Sequence, residues 1–565
     1  MMKRLCLGLL VPLVALAQDY RPQPTDAEKA RMASAVPSSA QVKVSRPRQV
    51  LVYCDHKGFY HSSIPFANEA LKVLGKATGA FEVTVTTDAS CFEPENLKKY
   101  DVIFLNNNTS RSPWGQKEYK NLPAGPERER LEAREARLRQ AFLDFVRVEG
   151  KGLVGIHAAT DAMYDWPEYG EMLGGFFNAH PWSERVGVEL CDAGHPTMRG
   201  WRGVPFYIND EIYQQRAPYS RDRQRVLMRL DVARCDMTKK DIRRTDGDFA
   251  LAWIKRYGKG RVGYIAFGHR HELFWNRGML TMMLDFIQYA AGDLKVDDRP
   301  SSELDEAYLR QSAAQGFERG VREMVADLAD YRYSVDDTVA RQIDALANRL
   351  ELSSDSAGQA EQLARLLAEQ LTKPETSVDA RNFILRQVSR LGGPETVPAV
   401  AAQLRDAATA DMAMYCLQRL PGEQASEALL AALKAQPERA GALAAMLGQR
   451  RYAAAVPALA ALLGDARHGE QAALALGAIG DEAAAQALVA ALPGAKGGLR
   501  LAVLAGLADC AEVSVAGEAL AAATDAPTNL RATGLAARLR RAGAAGIPDA
   551  LEAAMKGTQL QPVIV

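Results

Sequence analysis

The sequence predicts a two-part fold, an α/β domain built on a parallel sheet followed by an all-α array of helical repeats. Three observations predict it. Short apolar β-rich runs alternate with amphipathic segments in the first half, whereas from about residue 300 the chain turns Ala- and Leu-rich with helical periodicity. All six Trp and seven of the eight His precede residue 300, and only His468 lies beyond it. At 565 residues the chain also exceeds what one hydrophobic core organises. The expected division is a leader over 1–17, a polar lead over 18–48, the α/β domain over 49–293, a helical linker with the first helical units over 294–390, and helical repeats over 391–565.

The leader carries Lys3 and Arg4, an apolar stretch from Leu5 to Leu16, and Ala15-Leu16-Ala17 before Gln18, which is the layout of a secretory signal. A periplasmic or secreted bacterial protein is expected, with no membrane span after cleavage, since the apolar run is too short to cross a bilayer. Cys6 precedes the cleavage position, so lipid attachment at a following Cys is not indicated. Lys+Arg and Asp+Glu both number 69, so no net field draws the chain to nucleic acid or anionic lipid. The other six cysteines show no C-x-x-C spacing, and Cys191 with Cys235 is the sole disulfide pairing weighed against buried free thiols.

Within the first domain, Val50–Tyr53 reads as a buried strand ending in the polar loop Cys54–His61. Ser62 and Ser63 before Pro65 start a helix, because a Ser side chain caps free amides and Pro is tolerated in a first turn. Phe81–Thr86 is a second strand. Val102–Leu105 is a third, running into Asn106, Asn107 and Asn108. A charged helix over 127–149 leads to a fourth strand, Gly152–Ile156, ending at His157. Parallel sheets bind ligands at the carboxyl ends of their strands, and that edge collects His61, the Asn run and His157.

The segment Gly155-Ile156-His157-Ala158-Ala159-Thr160-Asp161 is the most informative in the chain. A buried strand entering a small-residue turn lifts one side chain above the sheet edge, and here it lifts His157, a candidate base, acid or metal ligand. Asp210 and Glu211 are neighbours, so on a strand they point to opposite faces; one is expected at the site, orienting His157 or His180 or acting as general base beside a ketone. His269 and His271 follow an apolar strand over 262–267 and share a face if it continues. With His61, His157 or His180 they form the candidate ligands of a divalent, zinc-type ion. No phosphate loop, dinucleotide fingerprint or G-x-S-x-G is present, which sets aside nucleotide-driven and serine-esterase chemistry. Aromatic faces (Tyr60, Trp166, Tyr169, Trp182) and amides (Asn106, Asn107, Asn108) suit a polyol or keto-sugar.

The domain resembles the ThuA-like, trehalose-utilisation family, similar in fold to class I glutamine amidotransferases and flavodoxin-like sheets. The resemblance is carried by Gly58-Phe59-Tyr60-His61-Ser62-Ser63-Ile64, Gly155-Ile156-His157 with Asp161, Tyr164–Tyr169, Leu173–Phe177, His180-Pro181, His195-Pro196, Asp210-Glu211-Ile212-Tyr213 and Gly268-His269. It implies a role in bacterial sugar metabolism beside enzymes that make 3-keto disaccharides. It carries over His269 as a site-edge residue, and the candidate substrate contacts are Tyr60, Asn106, Asn107, Asp161, Trp166, Tyr169, Tyr213 and His269. His157 stands where an amidotransferase carries its Cys nucleophile, so glutaminase activity is not expected.

In the second half, the block Val397-Pro398-Ala399-Val400 recurs with ends at Leu429, Leu459, Leu488 and Leu520, and more loosely near Leu551. Steps of about 30 residues fit one helix pair per unit, each burying its apolar face only by stacking on the next. Gly477–Asp481 supplies a Gly-rich stop and an Asp restart. The pattern resembles HEAT-type repeats, which implies a solenoid that either offers a surface to a protein partner or serves as a passive stabilising appendage. Two further readings stand beside the enzyme: a non-catalytic carbohydrate-binding module on a repeat scaffold, and an adaptor in which the helical array does the work.

Overall fold

The computed structural model describes residues 21–109, 119, 121–352 and 357–555. The leader over 1–17 lies outside them. Among the described residues no helix is long and apolar enough to cross a membrane. The chain divides into two compact units, Met1–Val321 and Arg322–Val565.

The first unit is built on one nine-stranded sheet: β1 Arg48–Tyr53, β2 Phe81–Thr86, β3 Val102–Asn106, β4 Gly152–Ile156, β5 Phe176–Leu190, β6 Phe206–Arg216, β7 Arg225–Leu230, β8 Ala250–Tyr257 and β9 Gly260–Ile265. Their spatial order is β2-β1-β3-β4-β9-β8-β7-β5-β6. The first five are mutually parallel, and fully buried runs such as Val102–Asn106 and Gly152–Ile156 are what a sheet covered on both faces requires. From β9 outward every pairing is antiparallel, so the sheet is mixed and not the wholly parallel one expected. The cause is local: β8 returns to β9 after only Gly258 and Lys259, too short a connection for a crossover helix.

Ile64–Thr78, Pro126–Arg147 and Arg277–Ala290 are the long helices of the sheet region. Arg277–Ala290 is buried from Gly278 onward and packs against β4 and β9. Strand β5 breaks register with β6 between Phe177 and Ala179 and again between Ala179 and Trp182. Such bulges bend a strand and re-aim its side chains, and His180 sits inside the second one. All six described cysteines are free thiols, Cys191 and Cys235 among them.

The compact unit includes chain beyond the α/β domain. Helix Glu306–Ala326 begins inside it: the Ser312 hydroxyl donates to buried Asp192, whose other carboxylate oxygen accepts from the fully buried Arg225 guanidinium at 2.7 Å. An unpaired charge at Asp192 or Arg225 would be costly to bury, so this network ties the helix to the sheet.

The second unit is helix-rich. Each helix packs on the next but one as well as on its neighbour: Gly469–Ile479 touches both Ala440–Gln449 and Gly497–Asp509, and Val456–Leu462 touches both Glu423–Ala435 and Glu482–Ala491. Leu429, Leu459, Leu488 and Leu520, the residues that mark the sequence period, are all fully buried. At the expected stop and restart, Gly480 takes a left-handed conformation (φ +73°) that ends one helix, and the Asp481 carboxylate accepts from the Ala484 amide at 2.8 Å to begin the next. Gln403 donates to the Leu371 carbonyl and Gln436 to the Leu404 carbonyl, so the same side chain ties successive units at matching places.

Candidate functional site

The parallel strands deliver their loops to one edge. His61 follows β1, Asn107 follows β3, His157 follows β4 and His269 follows β9. β6 adds Glu211 from the far end of the sheet. Ligand atoms of His61, His157, Glu211 and His269 all lie within 4.8 Å of one another, the one such cluster among the described residues. The His61, His157 and His269 rings meet at nearly right angles, with centroids 5.0 to 5.4 Å apart.

His157 is fully buried and its backbone is strained, with φ +43°, a region an L-residue enters at a cost of about 1–3 kcal/mol. Tyr264 beneath it holds that conformation, its hydroxyl donating to the His157 carbonyl at 2.7 Å and meeting the Thr160 hydroxyl at 3.0 Å. The imidazole Nδ1 faces the Ala266 carbonyl at 2.9 Å. A carbonyl can only accept, so Nδ1 carries a proton, and the ring turns Nε2 toward Glu211 Oε2, 3.4 Å away. On the other side of the carboxylate, His269 Nδ1 lies 3.3 Å from the same oxygen. Both ring nitrogens are buried without a hydrogen-bond partner, as is His61 Nδ1.

This arrangement fits a divalent ion. Ligands bonded at about 2.0–2.1 Å to a tetrahedral zinc lie roughly 3.3–3.4 Å from each other, and imidazole with carboxylate is a ligand set such ions take. The Nδ1–H to carbonyl bond of His157 is the outer support that metal-binding imidazoles use. Burial first, then the neighbouring His157 and His269, holds the His61 pKa well below its ordinary value, which keeps the ring neutral and able to ligate. Burial works against ionisation of Glu211, but contact with His157 and His269 outweighs it and keeps the carboxyl well below the usual range. For His269 burial is likewise outweighed by Glu211, and its pKa is raised.

Glu211 is the member of the Asp210–Glu211 pair that faces the cluster. Tyr213, two residues on and so on the same face, packs its ring on His157 at a centroid distance of 4.1 Å. Asp210, fully buried on the other face, accepts from the backbone amides of Gly268 (2.8 Å), His269 (3.4 Å) and Arg270 (3.0 Å). It is a positioning residue that sets the His269 loop. The same loop is gripped from the opposite side: Ser63 donates to the Gly268 carbonyl at 2.6 Å and Asn107 at 3.3 Å. Gly268 has φ +145°, and a Cβ there would come within 3.0 Å of His157 Cβ.

The remaining candidates separate. His180, half-exposed at the mouth, lies 3.4 Å from Glu211 Oε1. Asp161 is close enough to feel His157, His180 and Glu211; burial foremost raises its pKa, and it accepts from the Tyr164 hydroxyl. His271 leaves the cluster. β9 ends at Ile265, so the strand alternation that would align it with His269 is lost, and its ring stacks on Phe66 at 4.0 Å while Nε2 meets the Ser62 hydroxyl. Asn106 is fully buried and donates to the Ile64 carbonyl and to Asn68; like Asn107 it is engaged in holding loops. Trp166, Tyr169 and Trp182 are core residues, 4%, 0% and 0% exposed, and cannot contact a substrate. The aromatic rings at the mouth are two that sequence reasoning passed over, Phe59 and Phe177. A Phe between Gly58 and the Tyr60-His61 pair, in an otherwise polar loop, was the available signal for the first.

Residues 49–290 match the family model ThuA, described as trehalose utilisation. Among solved structures, a ThuA-like protein from Bacteroides uniformis is 24% identical, covering 43% of this chain and 93% of its own, with a TM-score of 0.34. Another from Parabacteroides merdae is 18% identical, covering 46% of this chain and 96% of its own, with a TM-score of 0.31. No curated protein matches the chain. The family match covers residues 49–290 and leaves the helical second unit outside it.

Proposed function

We propose that the first unit is a carbohydrate-active enzyme that carries out metal-assisted acid–base processing of a keto-sugar or glycoside. The observation that carries the reading is the convergence of His61, His157, His269 and Glu211, with buried ring nitrogens that make no hydrogen bond to the protein. The trehalose-utilisation match of residues 49–290 supports a carbohydrate-related role.

His61, His157, His269 and Glu211 would hold a divalent ion of the zinc type. When bound, it supplies Lewis-acid polarisation of a substrate carbonyl or hydroxyl oxygen. Every other role belongs to side chains of this chain. Glu211 stays ionised and orients three imidazoles at once. His180, half-exposed with the Glu211 carboxylate behind it, takes a proton from the carbon next to a ketone and returns it to the leaving oxygen. Tyr213 seals the rear of His157 against water. Asp210, Ser63 and Asn107 keep the His269 loop in register.

The leader over 1–17 supports a periplasmic or secreted setting for this chemistry. The next-but-one packing of helices in the second unit supports a HEAT-type solenoid serving as scaffold and partner surface. The test is elemental analysis of the purified protein, wild type and His157→Ala, with turnover of 3-keto-glycosides measured on the same samples. Near-stoichiometric divalent metal in the wild type, lost together with turnover in the variant, is the expected result. Wild-type protein that holds no metal after incubation with zinc and dialysis would overturn the metal-assisted reading.

A further inference from the structure

Phe59 is the one phenylalanine among the exposed large apolar residues described, with 60% of its surface open. Single exposed apolar side chains are ordinary. This one is set against the cluster: its ring lies 4.9 Å from that of His61, edge to face, and 6.4 Å from that of His269, nearly parallel at 16°. Its backbone is held as firmly as a core residue. The Thr109 hydroxyl donates to the Phe59 carbonyl at 2.7 Å, and the amides of Lys57 and Gly58 donate to the Thr109 carbonyl at 2.9 and 3.2 Å. The same two loops carry His56 Nδ1 and Asn108 Oδ1, both buried without hydrogen-bond partners.

A pyranose ring has an apolar C–H face and a rim of hydroxyls, so its binding sites pair an open aromatic face with nearby polar groups. The other aromatic residues near the site cannot provide that face. Tyr60 is engaged by the His56 ring at 4.6 Å and by the Arg21 guanidinium at 5.1 Å. Phe177 lies against Tyr213 at 4.4 Å and is stacked with His180 at 5.8 Å. Trp166, Tyr169 and Trp182 lie in the core.

We propose that Phe59 is the platform on which one pyranose ring of the substrate stacks, placing that ring's oxygens at the histidine–carboxylate cluster. The inference rests on the carbohydrate reading above and sharpens it: the substrate is recognised through the C–H face of a neutral six-membered ring, and Phe59 sets that specificity.

The experiment is saturation-transfer NMR and affinity titration on the full-length, zinc-incubated protein with trehalose, methyl α-glucopyranoside and methyl 3-keto-α-glucopyranoside. The proteins compared are wild type, Phe59→Ala, Phe59→Trp and Tyr207→Ala, an exposed aromatic elsewhere on β6. The expected result is saturation concentrated on ring C–H protons of at least one probe, an affinity at least tenfold weaker in Phe59→Ala, recovery in Phe59→Trp, and no change in Tyr207→Ala. Metal content measured on each sample judges the cluster separately, and it should be the same in wild type and Phe59→Ala. Unchanged affinity in Phe59→Ala overturns the platform while leaving the metal-centre reading intact. Wild-type protein that holds metal but binds none of the three rings also overturns it.

Discussion

The two units differ in how their buried polar atoms are grouped. In the first, the strand ends bring three unpartnered imidazole nitrogens and a carboxylate into one cluster, around a histidine in a strained backbone conformation. In the second, the repeat leucines are buried, and polar side chains such as Gln403, Gln436 and Asp481 close helix ends or tie one unit to the next. Groups left unsatisfied cost stability, and a cluster of them that also has ligand-type atoms within 4.8 Å of one another is a place where a ligand would satisfy several at once. The contrast separates an α/β unit that gathers ligand-type atoms at one point from a helical unit whose polar side chains serve mainly its own helix ends and helix contacts.

The comparison breaks if damage to the cluster unfolds the protein, or if damage to the helical unit silences the cluster. The largest effect expected is from Glu211→Gln, which removes the charge that orients three imidazoles. Turnover should fall by about 10²–10⁴-fold, with metal lost and the helical unit's unfolding unchanged in calorimetry. Next is Gly268→Ala, whose new Cβ would meet His157 Cβ at 3.0 Å. Displacing a loop that supports a ligand should weaken metal affinity about 10–100-fold, read by competition with a chelator. Gly477→Val probes the other unit, since a Cβ at Gly477 would lie 2.5 Å from Gly506 Cα. A cost of about 1–3 kcal/mol is expected there, with metal content and turnover kept.

The smallest effect is electrostatic. His195 is buried and neutral: the Thr197 amide donates to its Nδ1, its Nε2–H reaches the Asp297 carbonyl at 3.2 Å, and burial foremost holds its pKa down to about 4. Below about 6.5 the unfolded chain takes up a proton that the folded chain refuses until about 4. The first unit's stability should therefore fall as acid is added across that window, and His195→Gln should flatten the slope of unfolding midpoint against pH. Equal slopes in the two proteins would mean that His195 does not carry the dependence.

Much of the architecture was legible because it is written locally. The elbow at Gly155–Thr160, the buried strands β1, β3 and β4, the Gly480 stop and Asp481 cap, and the period ending at Leu429, Leu459, Leu488 and Leu520 all follow from residues within a few positions of one another. The site was half legible. His61, His157 and His269 could be picked out as strand-end histidines, and the opposition of Asp210 to Glu211 follows from strand alternation. Which of the two faces the cluster does not, because the alternation has two phases and only the packing of β6 selects one. His271 went astray because β9 stops at Ile265, and the turn that follows sends neighbouring side chains in different directions.

The sequence by itself therefore determined element order, helix punctuation, the helical period and which histidines stand at strand ends, since these depend on near neighbours and intrinsic residue chemistry. Tertiary structure alone decided the antiparallel half of the sheet, the bulge that carries His180, the burial of Trp166, Tyr169 and Trp182, and the exposure of Phe59. Burial and ligand convergence are properties of contacts between segments far apart in the chain: Glu211 meets His61 and His157 only because β6 lies over the ends of strands that precede it by many residues.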